Sequence, residues 1–230
     1  MLRIAAVLSS LLLLAACNWS DTYGGPTIKG SGNILTETRQ VENFTAIVVS
    51  GSANLEIEQT GEEGLEITTD DNLLPLYITE VRNGILYIEV AEGKRLTWSW
   101  SDSVPRITRI KVTVRDLRKL TISGAARVKA TNLDTDSLSI TISGAASGSF
   151  AGRSDNLSIT LSGSGSLDAI DLRAKRATIV VSGAGDVTVN ANEELDARVS
   201  GVGTISYVGS PKLRSKVSGV GSVKQKFITH

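Results

Sequence analysis

One cysteine, Cys17, and one histidine, His230, are the chain's whole supply of thiol and imidazole. An internal disulfide is therefore impossible. A zinc centre of the usual Cys/His kind has too few ligands, and a Ser-His-Asp or Cys-His arrangement would depend on the last residue. What remains for chemistry is oxygen and indole. Carboxylates come in pairs: Glu62 with Glu63, Asp70 with Asp71, Asp134 with Asp136, Asp168 with Asp171. Two carboxylates can serve a glycosidase as acid and base, and oxygen clusters can hold calcium. These residues fall mostly where strands must turn, however, and turns favour aspartate. They are read as solvated turn residues, with no catalytic residue, metal or cofactor expected. Trp98 and Trp100 alternate in "LTWSWS", so both indoles can share one face. That arrangement suits stacking on sugar rings or docking to a partner, and equally suits covering one end of a core. These two are the candidate ligand contacts.

The element that must present these groups begins at the N-terminus. "MLRIAAVLSSLLLLAAC" has an early charge, Arg3, and an apolar run from Ile4 to Leu14. That run has the length of a signal-peptide core and is short for a membrane span. It ends in Leu14-Ala15-Ala16-Cys17, which resembles the bacterial lipobox, where the cysteine receives diacylglycerol and becomes the new N-terminus. Residues 1–16 are read as a lipoprotein signal peptide. Residues 17–32 are read as the lipidated N-terminus with a polar, Gly-rich tether. Several acyl chains on one residue give a lasting membrane anchor. Asn18 stands where aspartate favours inner-membrane retention, which points to the outer membrane.

From residue 33 to residue 230 the chain reads as one domain with a repeated phrase. Ser-Gly pairs stand at Ser50-Gly51, Ser123-Gly124, Ser143-Gly144, Ser162-Gly163, Ser182-Gly183, Ser200-Gly201 and Ser218-Gly219. The last six recur every 18–20 residues. Before each pair, apolar residues alternate with hydroxyl or charged ones, as in Leu138, Ile140 and Ile142 against Ser139 and Thr141. A second inward set resumes at Val128, Leu167, Val187, Ile205 and Val223. A period near 20 with β alternation predicts an all-β, right-handed parallel β-helix-like solenoid, about 18–20 residues per coil. The glycine is expected at a corner where the backbone bends or approaches the next coil closely. The serines should form an outward column beside Thr121, Thr141 and Thr160. The interval from Ser50 to Ser123 is close to four periods yet holds no Ser-Gly. There, Asn83-Gly84 between β-rich runs predicts a hairpin, so some antiparallel pairing is expected. "KRLTWSWSDSVPR" reads as a loop or hairpin tip, and "VKQKFITH" as a polar cap.

The run from Phe44 and Ile47 through Ser50-Gly51 resembles the bacterial head GIN domain of auto-transporter adhesins. So do Asp71-Asn72-Leu73-Leu74, Asn83-Gly84 before Leu86, and the serial Ser-Gly-x-Gly turns. The resemblance runs from about Gly32 to Phe227. It implies an extracytoplasmic β-helix-like fold, often on a lipoprotein, and brings no catalytic residues with it.

Net charge is zero and no basic stripe stands out, which argues against a nucleic-acid partner. The expected role is a non-enzymatic, membrane-anchored envelope lipoprotein acting as an adhesion or interaction module. Its partners would be the membrane, through the lipid, and a cell-surface glycan or protein. Two rivals stay open: a structural solenoid that self-associates through its ends, and a polysaccharide-binding or polysaccharide-processing β-helix.

Overall fold

The computed structural model describes residues 26–97, 100–101, 104–105 and 107–227. Cys17, the signal peptide, most of the tether, Trp98 and His230 lie outside them. The described chain is a β-solenoid of about five turns with some antiparallel strands. Strands Ala125–Ile142, Ala145–Leu161, Ser164–Val181 and Ala184–Val199 each run almost a full coil, and each pairs in parallel with the next. Strands Val202–Val208, Lys212–Val217 and Val220–Gln225 complete the C-terminal end.

The alternation read from the sequence sets the core. Leu138, Leu157 and Leu195 are buried in one register column with Ala177; Ile140, Ile159 and Ile179 fill the next with Ala197. Ile142, Leu161, Val181 and Val199 stack immediately before the corner. Parallel pairing stacks like on like, so the small core of each coil becomes continuous along the axis.

At the corner, two hydrogen bonds per coil join each Ser-Gly to the one before. Ser143 N–H donates to the Ile122 carbonyl at 3.0 Å and Ala145 N–H to the Gly124 carbonyl at 3.1 Å. The same pair of bonds recurs up to Ser218 with Val199 and Val220 with Gly201. A Cβ on Gly144 would lie 1.9 Å from the Gly124 carbonyl oxygen; on Gly163, 1.8 Å from that of Gly144. Only Gly51 among these corner glycines needs a left-handed φ, at +118°. The glycine is thus required by close approach along the stack.

The interval from Ser50 to Ser123 is not four more coils. Ser123 N–H donates to the Val49 carbonyl at 3.0 Å, and Ala125 N–H to the Gly51 carbonyl at 3.0 Å. The Ser50-Gly51 corner therefore sits directly under Ser123-Gly124. The residues between are carried to the N-terminal end of the stack. There Ile85–Val90 and Arg109–Val114 pair in parallel beneath strands Ala46–Val49 and Ser52–Gln59. Antiparallel strands Tyr77–Arg82, Gly64–Asp70 and Ile34–Arg39 then close that end. Asn83 at φ +51° and Gly84 at φ +75° make the hairpin turn. Arg39 ties the two edge strands, donating to the Leu74 carbonyl at 3.0 Å and to Thr79 Oγ1 at 3.1 Å.

Candidate functional site

At least one carboxylate of each pair is held by the fold. Glu63 is nearly buried and accepts the Asn43 and Phe44 backbone N–H groups at 2.9 and 3.0 Å. Asp70 is buried and accepts the Gly32 N–H at 2.7 Å. Asp71 accepts from the Ser31 hydroxyl, the Asn72 N–H and the Asn33 amide. The Ser31 hydrogen bond, first of these, holds its carboxyl below the ordinary aspartate range. Asn72 completes this clamp, accepting the Ser31 N–H at 2.9 Å and donating to the Lys29 carbonyl at 2.8 Å. Strand Thr27–Lys29 pairs with Arg95–Thr97, so part of the segment read as tether is built into the domain. Asp134 receives both Nε and Nη2 of Arg153, at 2.5 and 2.7 Å, and that guanidinium lowers its pKa. Asp168 accepts the Ile170 N–H at 3.0 Å. Among the described residues, no group of three or more His, Cys, Asp or Glu is placed to hold a metal ion.

The serines stand in one column, with Ser50 and Ser123 hydroxyl oxygens 3.2 Å apart. Ser123, Ser143, Ser162, Ser182, Ser200 and Ser218 are exposed, each on its Gly-backed corner. Thr121, Thr141 and Thr160 align beside them and are half-buried, continuing as Val180, Arg198 and Lys216. That sequence of side chains is not one chemical surface. Trp100 lies in a two-residue strand paired with Val104–Pro105, a hairpin tip as the sequence suggested.

A different feature collects functional groups. Between the columns Ser137–Asn156–Arg176–Glu194–Lys212 and Ser139–Ser158–Thr178–Asp196–Arg214, the backbone of the Leu138–Leu157–Ala177–Leu195 column, whose side chains are buried in the core, forms a floor. With Arg118 at one end, these rims enclose an open groove of about 540 Å³ along the stack. Four cations, Arg118, Arg176, Lys212 and Arg214, face two acids, Glu194 and Asp196. Arg176 is oriented by Asn156 Oδ1 at 2.9 Å and by Glu193 at 3.4 Å. Asp196 is neutralised by Arg198 at 2.6 Å, and Arg118 by Asp116 at 2.6 Å. The groove therefore offers a backbone floor over the core, with hydroxyl and amide groups at Ser137, Ser139, Asn156, Ser158 and Thr178 and cations at Arg176, Lys212 and Arg214, on coils about 4.8 Å apart. The sequence reading missed these residues. The signal was there: Ser137, Asn156, Arg176, Glu194 and Lys212 are spaced 19, 20, 18 and 18 apart, the same gaps as the last serines.

Three solved structures share this architecture. One from Bacteroides fragilis, described as a putative adhesin, is 26% identical with a TM-score of 0.70; the match covers 86% of this chain and 100% of that one. One from Parabacteroides distasonis, described as a putative lipid binding protein, is 24% identical with a TM-score of 0.53, covering 88% and 100%. One from Parabacteroides merdae, described as a putative adhesin, is 21% identical with a TM-score of 0.52, covering 87% and 99%. The last two speak to fold alone. No curated protein matches the chain. Residues 43–211, well over half of the chain, match the family described as "Putative auto-transporter adhesin, head GIN domain", and the chain belongs to that family.

Proposed function

We propose that this chain is a non-enzymatic adhesion or interaction module of the bacterial envelope, anchored through Cys17, which binds an extended glycan along the Arg176 groove. The groove carries the reading. Its rims run along the axis from hydroxyl and amide groups at Ser137, Ser139, Asn156 and Ser158 to cations at Arg176, Lys212 and Arg214, so an extended polymer lying along it would meet hydrogen-bonding partners at one end and cations at the other. Lys212 and Arg214, at the C-terminal end of the groove, favour a glycan bearing carboxylate or other acidic groups, while Arg118 and Arg176 already pair with Asp116 and Glu193. Glu63, Asp70, Asp71 and Asp134 are engaged by hydrogen bonds within the fold, which supports a binding role over hydrolysis. Family membership and the 26% identical adhesin structure support an adhesion-like role. The lipobox-like Cys17 and the following Asn18 support export and an outer-membrane anchor.

The test is a binding screen of acidic and neutral polysaccharides with the chain from Asn18 to His230. Beside it run Arg176→Glu/Arg214→Glu and Trp98→Ala/Trp100→Ala. Reversing two groove charges is expected to weaken binding of an acidic glycan by about tenfold or more and to flatten its salt dependence. Binding lost only with the tryptophans would move the site to the hairpin. A folded protein that binds none of the polysaccharides would remove the glycan reading.

A further inference from the structure

Among the described residues, every large hydrophobic side chain left exposed lies at one end of the stack or the other. At the N-terminal end these are Ile34, Leu35 and Ile78, on the edge strands Ile34–Arg39 and Tyr77–Arg82. At the C-terminal end they are Val202, Leu213, Val217, Val220 and Phe227. Of the segment "VKQKFITH" read as a polar cap, residues 228–230 lie outside the described residues. Val223, Lys224 and Gln225 belong to the closing strand Val220–Gln225, and Leu213 and Val217, inward in register, are 39% and 43% exposed. Among the described residues, strands Lys212–Val217 and Val220–Gln225 each pair on one side only, so the last coil presents an open backbone edge. Such an edge is a template for another strand unless something blocks it.

The two ends also differ in charge. Residues 34–45 and 60–84, which build the outer N-terminal layers, carry eight Asp/Glu and two arginines; with Asp70 and the Glu63 side chain buried, six acids remain at the surface. Residues 210–227, the last coil, carry five Lys/Arg and no acid. The zero net charge of the chain hides an axial separation of acidic and basic ends. Joining two C-terminal ends would set five cations against five. Joining opposite ends sets them against a net negative surface, with apolar residues on both sides.

We propose that the ends bind each other head to tail, the basic last coil of one copy on the acidic N-terminal edge of the next. The contact is heterologous, so it need not close and extends the solenoid into a filament. The two readings share Lys212 and Arg214, which line the groove and belong to the last coil, but the substitutions that test this one, at Val220, Lys224, Leu35 and Ile78, lie outside the groove lining.

The chain from Asn18 to His230 keeps every described residue, and the Bacteroides fragilis structure is wholly covered by the corresponding part of this chain. Its sedimentation over a concentration series should show open-ended growth at low salt, reversed at high salt. Val220→Glu/Lys224→Glu blocks the basic end, and Leu35→Lys/Ile78→Lys blocks the acidic end. All four sites are exposed, and circular dichroism melting confirms that both variants fold. Each variant alone should stay monomeric, its self-association weakened by about tenfold or more. Mixed, they should form a one-to-one dimer, because one intact end of each kind remains. A wild type that stays monomeric throughout overturns the proposal. So does one that stops at a dimer abolished by the basic-end variant alone, which would mean like ends meet. A monomer whose basic end instead captures an acidic polysaccharide, lost in the Val220→Glu/Lys224→Glu variant, overturns it too.

Discussion

At the scale of single residues, the repeat tolerates exchange when a neighbour compensates. The inward column Leu55, Val128, Leu167, Val187, Ile205 is broken at the third coil by Gly148. The space is filled from the next inward position, where Phe150 pairs with Ala130, which in turn pairs with Ile57. Its ring would come within 3.1 Å of a Cβ on Gly148, and Phe150 is 1% exposed. Phe150→Ala should therefore leave a cavity and cost about 3–5 kcal/mol. Gly148→Leu alone should overpack and cost about 1–3 kcal/mol. Together they rebuild the pattern of the adjacent coil, Leu167 with Ala169. Denaturant unfolding of the double variant should give a loss well below the sum. A strictly additive result would show that the two residues do not share this space. The sequence displayed Gly148 as an omission from the inward set; that Phe150 answers it is a fact of packing.

At the scale of the element, the corner is the unit that recurs. The Ser-Gly step supplies two backbone hydrogen bonds to the coil before and leaves no room for a Cβ. Gly144→Ala would push a methyl to 1.9 Å from the Gly124 carbonyl oxygen, so the two coils must part. We expect a loss of at least about 3 kcal/mol, the upper part of the range for overpacked sites. Gly61 is the contrast: an added Cβ there meets nothing within 4 Å, and only its φ of +85° resists substitution. Gly61→Ala should cost about 1–2 kcal/mol, the price of a left-handed alanine. Thermal unfolding of the two variants side by side decides the matter. Equal losses would mean that glycine is kept at the corners for backbone freedom and not for close approach.

At the scale of the whole molecule, the ends are unlike. Antiparallel edge strands close the N-terminal end, and the clamp of Asp71 and Asn72 on residues 29–33 brings the chain in there. An anchor on Cys17 would therefore attach at the acidic end. Residues 17–25 span at most about 30 Å when fully extended. The basic last coil would be left to face other molecules. Cys17→Ser in the full chain should move the protein from the membrane fraction to the soluble fraction of the envelope. If the variant still sediments with membranes, anchoring does not depend on that cysteine. The separation of charge along the axis also makes any end-to-end contact weaken with salt.

The sequence by itself determined the fold class, the coil length and the inward residues. These are properties of period, and each coil repeats them locally. It also held the Asn83-Gly84 hairpin, because that turn is fixed by two adjacent residues. Only the tertiary structure decided that the 73 residues from Ser50 to Ser123 close an end and add no four coils. Stacking order is set by which edges find partners, and no local pattern encodes it. The groove and the unlike ends were written in the sequence as Arg176 and Lys212 at the repeat spacing and as the acid-free last 18 residues. They became surfaces only once parallel pairing laid residues some twenty positions apart side by side.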